Sequence, residues 1–115
     1  MFDLSNKTAL VTGSAGLLGL KHCEALLEIN CKVVLTDINH RLLREYHETL
    51  ATNYESSLVI SEYMDVSKLD SIQNTFNKLS SENHRVDILI NNAALDPKIQ
   101  IKIQWSIVLV WKISP

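Results

Sequence analysis

Thr12-Gly13-Ser14-Ala15-Gly16-Leu17-Leu18-Gly19 is the stretch on which the fold turns. Just before it, Thr8-Ala9-Leu10-Val11-Thr12 is a short β-prone apolar run, the pattern of a buried strand. Just after it, residues 17–29 read as a helix. Lys21, Glu24 and Glu28 share one narrow polar stripe there, while Leu18, Leu20, Cys23, Leu26, Leu27 and Ile29 cover most of the remaining surface. A helix so apolar packs closely on a sheet. The three glycines between strand and helix have separate uses. Gly13 permits the tight turn, Gly16 lets the backbone approach a diphosphate with no Cβ in the way, and Gly19 brings the helix close to the strand. Free N–H groups at the helix start, together with its dipole, favour phosphate charge. Ser14 is expected to add a hydroxyl donor.

Working outward, the same alternation continues. Residues 31–36 (Cys-Lys-Val-Val-Leu-Thr) form a second apolar strand ending at Asp37, and Asn39 is placed to cap a helix running to about Leu50. Leu43, Tyr46 and Leu50 mark the inner face of that helix. Residues 58–63 make a third strand, closed by Asp65. Ser67-Lys68-Leu69-Asp70 resembles a capping box, with Asp in the usual place of Glu. Leu69, Ile72, Phe76 and Leu79 then repeat at helical spacing. Residues 86–90 are a fourth strand, ending in Asn91-Asn92-Ala93-Ala94. Strands that alternate with helices imply a parallel sheet with right-handed crossovers, and apolar strands fit a sheet covered on both faces. The fold expected is α/β: a partial, doubly wound, Rossmann-like sheet of four parallel strands in the order 3-2-1-4, in three layers.

Composition closes off several classes of function. The chain has 115 residues, enough for one domain. Hydrophobic residues are 46% and charged residues 21%, as in ordinary globular proteins. Net charge is −2 with no obvious basic face, so electrostatics give no reason to propose nucleic acid. The most apolar late stretch, Trp105 to Ile113, is too short to cross a bilayer as a helix, and no secretory leader is visible at Met1. A cytoplasmic location without membrane attachment is expected. Cys23 and Cys31 read as buried free thiols. His22, His40, His47 and His84 read as surface or helix-flank residues, without zinc-ligand spacing, so no metal site is assigned.

A glycine pattern in a strand-turn-helix setting points to a dinucleotide. Asp37 strengthens it, standing at the tip of the second strand, close to the ~20-residue spacing at which an acid meets the adenosine ribose. Its carboxylate can accept from both ribose hydroxyls and would repel a 2′-phosphate, which favours NAD over NADP. A helix cap is the other reading of Asp37. Asp65 ends the third strand on the same sheet edge, where it can accept from the adenine amino group or serve as a turn acid. Val66 beside it can pack on the adenine ring.

Thr12-Gly13 with Gly16 and Gly19, then Asp37, Asp65-Val66 and Asn91-Asn92-Ala93-Ala94, resemble the short-chain dehydrogenase/reductase pattern over residues 3–97. One departure is the middle glycine. The family's shorter branch places it one residue later, where this chain has Leu17. The spacing here is similar to the extended branch that acts on nucleotide sugars, while the Asn-Asn-Ala-Ala motif is similar to the shorter branch. The resemblance implies that Asn91 and Ala93 lie beside the cofactor ribose and that Asn92 helps hold the central strands together; turn chemistry is the other reading of the asparagine pair. The cofactor-binding set is therefore Gly13, Ser14, Gly16, Leu17, Leu18, Gly19, Asp37, Ile38, Asp65, Val66, Asn91 and Ala93.

Family catalysis uses a Tyr-x-x-x-Lys pair with an upstream Ser, in which the Lys lowers the pKa of the Tyr. Tyr46, Tyr54 and Tyr63 are followed four residues on by Leu50, Leu58 and Ser67, so no catalytic residue is assigned. After Pro97 the character changes. Ile99, Ile101 and Ile103 alternate with Gln100, Lys102 and Gln104, and Trp105 and Trp111 are the chain's only tryptophans. Residues 1–97 thus read as the nucleotide-binding half-domain and 98–115 as an aberrant tail, as a truncated or frameshifted oxidoreductase would have. A stand-alone nucleotide-binding module and a non-functional fragment are the alternatives. The fourth strand is expected to be an exposed edge, unless residues 99–104 pair along it. An oligomer is not expected of such a form.

Overall fold

A computed structural model describes residues 3–92 and the strand residues 107–110. Four strands and three helices alternate as the sequence pattern predicts. They are β1 (Thr8–Thr12), α1 (Leu17–Glu28), β2 (Lys32–Asp37), α2 (His40–Asn53), β3 (Val59–Tyr63), α3 (Leu69–Ser81) and β4 (Ile88–Asn91), with a short 3-10 turn, Ser56–Leu58, ahead of β3. A further strand, β5 (Ile107–Val110), follows. All pairings are parallel, and the sheet order is β3-β2-β1-β4-β5.

The 3-2-1-4 order is as expected, but the sheet has five strands where four were expected. Residues 107–110 cover the outer edge of β4, with Ile88 opposite Ile107 and Asn91 opposite Val110. The stretch 99–104, considered for that edge, lies outside the described residues. So does Ala93.

Strand residues alternate between two cores. Ala9, Val11, Val33, Leu35, Val59, Ile88 and Ile90 pack with Cys23, Leu26 and Leu27 of α1 and Leu43 and Leu50 of α2. Leu10, Val34 and Leu89 point the other way, to Ile72 and Leu79 of α3. The sheet is apolar on both faces because helices cover both. Both cysteines are free and buried.

Helix ends differ in detail from the sequence pattern. Asn39 caps α2, its side chain accepting from Leu42 N. The box expected at Ser67 does not form. Lys68 is the cap residue of α3 and makes no side-chain cap bond, because Ser67 turns back to Asp65. Leu69, the first residue of α3, is 61% exposed instead of facing the core. Among the described residues no helix is long and apolar enough to cross a membrane.

Candidate functional site

In a parallel sheet all strands end on one side, and ligands bind outside those carboxyl ends where the order reverses. Here the reversal lies between β1 and β4, which start from the centre of the sheet. That edge gathers the Gly13–Gly16 turn after β1, Asp37 closing β2, Asp65 just beyond β3 and Asn91 closing β4.

The glycine turn is built as its spacing implies. Gly13 has φ 62, the left-handed region that favours glycine. A Cβ on Gly19 would lie 2.5 Å from Gly13 O and 2.7 Å from Ser14 Cα, so only glycine lets α1 lean on the turn. A Cβ on Gly16 would meet nothing nearer than 3.8 Å, so the space in front of it is open. Gly16 is also the cap residue of α1, with no side-chain cap bond and no acid in the first turn. The first helical bond runs from Leu20 N to Gly16 O. The N–H groups of Leu17, Leu18 and Gly19 therefore come before the helical ladder begins, and such groups bind anions. Leu17 is 76% exposed at this helix start and Leu18 half-buried.

Ser14 departs from expectation. It is fully buried, and both its N–H and its hydroxyl donate to Thr36 O, at 3.0 and 3.1 Å. Its hydroxyl ties the turn to β2 and does not point out toward a phosphate.

Asp37 reaches across to the same turn. Its Oδ2 accepts from Ala15 N at 3.0 Å and its Oδ1 from Asn39 N at 2.9 Å. The carboxylate is half-buried, and Ile38 beside it is 59% exposed. Asp65 is buried, and its Oδ1 accepts from Ser67 N–H and Oγ–H at 2.9 and 2.6 Å. The Ser67 hydroxyl bond, then the backbone bond, hold this carboxyl below its ordinary value, so it stays ionised. Its Oδ2 has no donor among the described residues. Val66 is half-buried against the α3-side core.

On β4, Asn91 Oδ1 accepts from Thr12 Oγ1–H at 2.8 Å. Asn92 donates its N–H to Thr12 Oγ1 and its Nδ2 to Gly13 O, each at 3.0 Å. The asparagine pair thus binds the tip of β4 to the end of β1. The Asn91 side-chain oxygen is thus engaged within the sheet.

Two threonines to which sequence reasoning gave no side-chain role hold the edge together. Thr12 links β1 to β4, and Thr36 Oγ1 donates to Val11 O at 2.8 Å. A hydroxyl inside an apolar strand was the available signal. Asp87, also passed over, does the equivalent work at the far edge, accepting from Thr8 N at 3.1 Å. A polar cleft of about 540 Å³ lies at that far edge, lined by Lys7, Asn30, Lys32, Arg85 and Asp87 among others, and contains none of the tip residues. Among the described residues no group of His, Cys, Asp and Glu is placed to hold a metal.

The family model for the short chain dehydrogenase matches residues 7–106. A short chain dehydrogenase/reductase of Gibberella zeae, dpfgG, is 38% identical over 81% of this chain and 33% of its own length. Human 15-hydroxyprostaglandin dehydrogenase [NAD(+)] is 33% identical over 81% of this chain and 35% of its own. The chain therefore spans about a third of these relatives. The structure of L-sorbose reductase from Gluconobacter frateurii, complexed with NADPH and L-sorbose, superposes with a TM-score of 0.74 at 26% identity, over 80% of this chain and 35% of that one.

Proposed function

Because this chain belongs to the short-chain dehydrogenase family, we propose that its strand-tip edge binds a dinucleotide cofactor, NAD in preference to NADP. The observation that carries the reading is the pairing of Asp37 with Ala15 N beside the open space at Gly16. A carboxylate held at the turn is placed to accept from ribose hydroxyls and to repel a 2′-phosphate. The diphosphate would lie over Gly16 against the N–H groups that open α1, and adenine between Ile38 and Val66 with its amino group toward Asp65. Gly13 and Gly19 serve by shaping the turn, Leu17 and Leu18 by carrying the donor N–H groups, and Asn91 by its place at the end of β4, with Ala93 assigned to the ribose by family resemblance alone. When bound, the cofactor would supply hydride chemistry, while these residues bind and orient it.

We place proton transfer outside these 115 residues, because no Tyr-x-x-x-Lys occurs among them. We assign the nucleotide half to residues 1–97 and read residues 98–115 as a tail of separate origin, a division against which the family match running on to residue 106 weighs. Reading the coding sequence past codon 98 in the other two frames tests that division, and absence of a Tyr-x-x-x-Lys in every frame would favour a stand-alone binding module. The two buried thiols are in keeping with a reducing, cytoplasmic setting.

Titration of the chain with NADH and NADPH tests the main reading. Wild type is expected to bind NADH more tightly. Asp37→Ala is expected to lose roughly ten- to a hundredfold of NADH affinity, the value of hydrogen bonds to a charged acceptor. Equal affinity for the two cofactors in wild type would remove Asp37 from the ribose role.

A further inference from the structure

Tyr63 and His40 lie beside the site but have no part in it so far. Tyr63 ends β3 and pairs in register with Asp37 at the end of β2. Register partners in parallel strands share a face of the sheet, so Tyr63 and Asp37 both turn toward the α2 side. His40 is the first residue of α2. The two rings stack with centroids 4.2 Å apart and planes at 3°. This contact is not core packing: Tyr63 is 39% exposed, and His40 is exposed as well.

The stack closes a short circuit around the turn that carries Asp37. Along the chain the circuit runs Asp37-Ile38-Asn39-His40. The rings join His40 to Tyr63, and the next residue, Met64, donates its N–H back to Asp37 O at 3.2 Å. Within the circuit, Asn39 N donates to Asp37 Oδ1, and Asn39's side chain caps Leu42 N at 3.0 Å. Burial does little to hold the turn, since Ile38 is 59% exposed and Asn39 and His40 are exposed too. Besides the two Asn39 bonds, its fixed points are the strand ladder on one side and the ring stack on the other.

We propose that His40 and Tyr63 are positioning residues for Asp37: their stack clamps the start of α2 to the tip of β3 and sets the carboxylate's direction toward the glycine turn. The pair thereby determines how strongly the site discriminates between plain and 2′-phosphorylated dinucleotides. The inference rests on the reading of Asp37 as the ribose acceptor. It explains why two exposed rings on different elements are held parallel at this one place on the edge. It also predicts coupling between the rings and Asp37 where no side-chain bond joins them.

The test is NADH and NADPH titration of the 115-residue chain and its variants, with the thermal midpoint of each recorded. His40→Ala, at an exposed position, and Tyr63→Ala are both expected to weaken NADH binding about two- to tenfold, the worth of an aromatic pair, while NADPH affinity does not fall, so that the ratio narrows. Tyr63→Phe keeps the ring and restores the wild-type ratio. In an Asp37→Ala background, His40→Ala no longer changes the ratio. An unchanged ratio in both alanine variants, with a wild type that discriminates, overturns the clamp whatever happens to the melting temperature. A wild type that does not discriminate overturns the Asp37 reading itself, and the clamp with it.

Discussion

Substituting alanine at Gly19 and at Gly16 separates folding from binding in the glycine turn. At Gly19 the added Cβ would stand 2.5 Å from Gly13 O and 2.7 Å from Ser14 Cα. Both are backbone atoms, so no side chain can swing aside, and α1 must move off the turn. Overpacking of this kind costs about 1–3 kcal/mol. The fixed backbone argues for the upper end, about 3 kcal/mol, and alanine's better helix propensity returns at most about 1 kcal/mol. The net loss is about 2 kcal/mol. For a domain of this size that lowers the midpoint by roughly 8 °C. At Gly16 the arithmetic differs. The Cβ would have 3.8 Å of clearance, and φ −140, ψ 167 suits any residue, so no clash arises. A smaller unfolded-state entropy offsets alanine's poorer capping, and the stability change is near zero. The methyl would nonetheless stand where the diphosphate approaches and weaken NADH binding about tenfold, or roughly 1.4 kcal/mol. Thermal melts by circular dichroism and NADH titration read the two quantities. A Gly19→Ala midpoint within about 1 °C of wild type would refute the packing argument, and unchanged NADH affinity in Gly16→Ala would refute the placement of the diphosphate.

Three further outcomes are expected. Asn39→Ala removes the cap bond to Leu42 N and lowers stability by about 1 kcal/mol, measured by urea unfolding; no change would mean water replaces the cap in full. Burial, with Glu24's charge second, pushes the Cys23 thiol up to about 12, and burial pushes Cys31 up to about 11. Neither thiol is expected to react with a disulfide reagent at pH 8 until the chain unfolds, and stability should fall as pH rises from about 9, where unfolded thiols lose their protons and buried ones do not; rapid labelling of the folded chain would contradict this. Asp65 is the opposite case. Its carboxyl lies below 3.8 because Ser67 bonds the charged form, so it adds stability above that pH that is lost as pH falls through the lower folded value. Ser67→Ala should flatten the acid limb of the urea midpoint, and an identical slope would show that the Ser67 hydroxyl does not set it.

Strand order and the three layers were legible because the central strands are apolar on both faces and the helices carry apolar surface to cover them. That pattern states what covers what, and it does not depend on where an element begins or ends. The glycine turn was legible for a related reason: the roles of Gly13 and Gly19 are steric, and steric needs follow from spacing. Side-chain direction was harder. Ser14 sits in the turn where a phosphate donor is wanted, yet its hydroxyl goes to Thr36 O, a choice made by a strand that is distant in sequence. Ser67 was read as a cap for the helix ahead, but Asp65, two residues back, accepts its hydroxyl at 2.6 Å. Leu69 kept helical spacing with Ile72 and Leu79, but periodicity does not say which turn of the helix meets the core, and Leu69, the first residue of α3, is 61% exposed. In each case the deciding partner was a local or cross-strand acceptor, or an element boundary, that periodicity does not encode.

The polar bonds at the strand tips form a pattern with a consequence for binding. Ser14 is spent on Thr36 O, Ala15 N on Asp37, Asn92 Nδ2 on Gly13 O and the Thr12 hydroxyl on Asn91. The turn is therefore tied to β2 on one side and to β4 on the other. Among the described residues, what the edge leaves unspent is the N–H groups that open α1, the space before Gly16, the second oxygen of Asp65 and the buried Asn92 Oδ1, which has no hydrogen-bond partner. A ligand meeting this edge has little to rearrange, so its ordering cost is small. The same bonds make the turn a joint between strands that pack separately into the sheet. Loosening β4 would take Asn92 from Gly13 and so reach the turn directly. β5, paired along the outer side of β4, then bears on the site although it lies one strand away. Whatever holds β4 in register holds the glycine turn in shape.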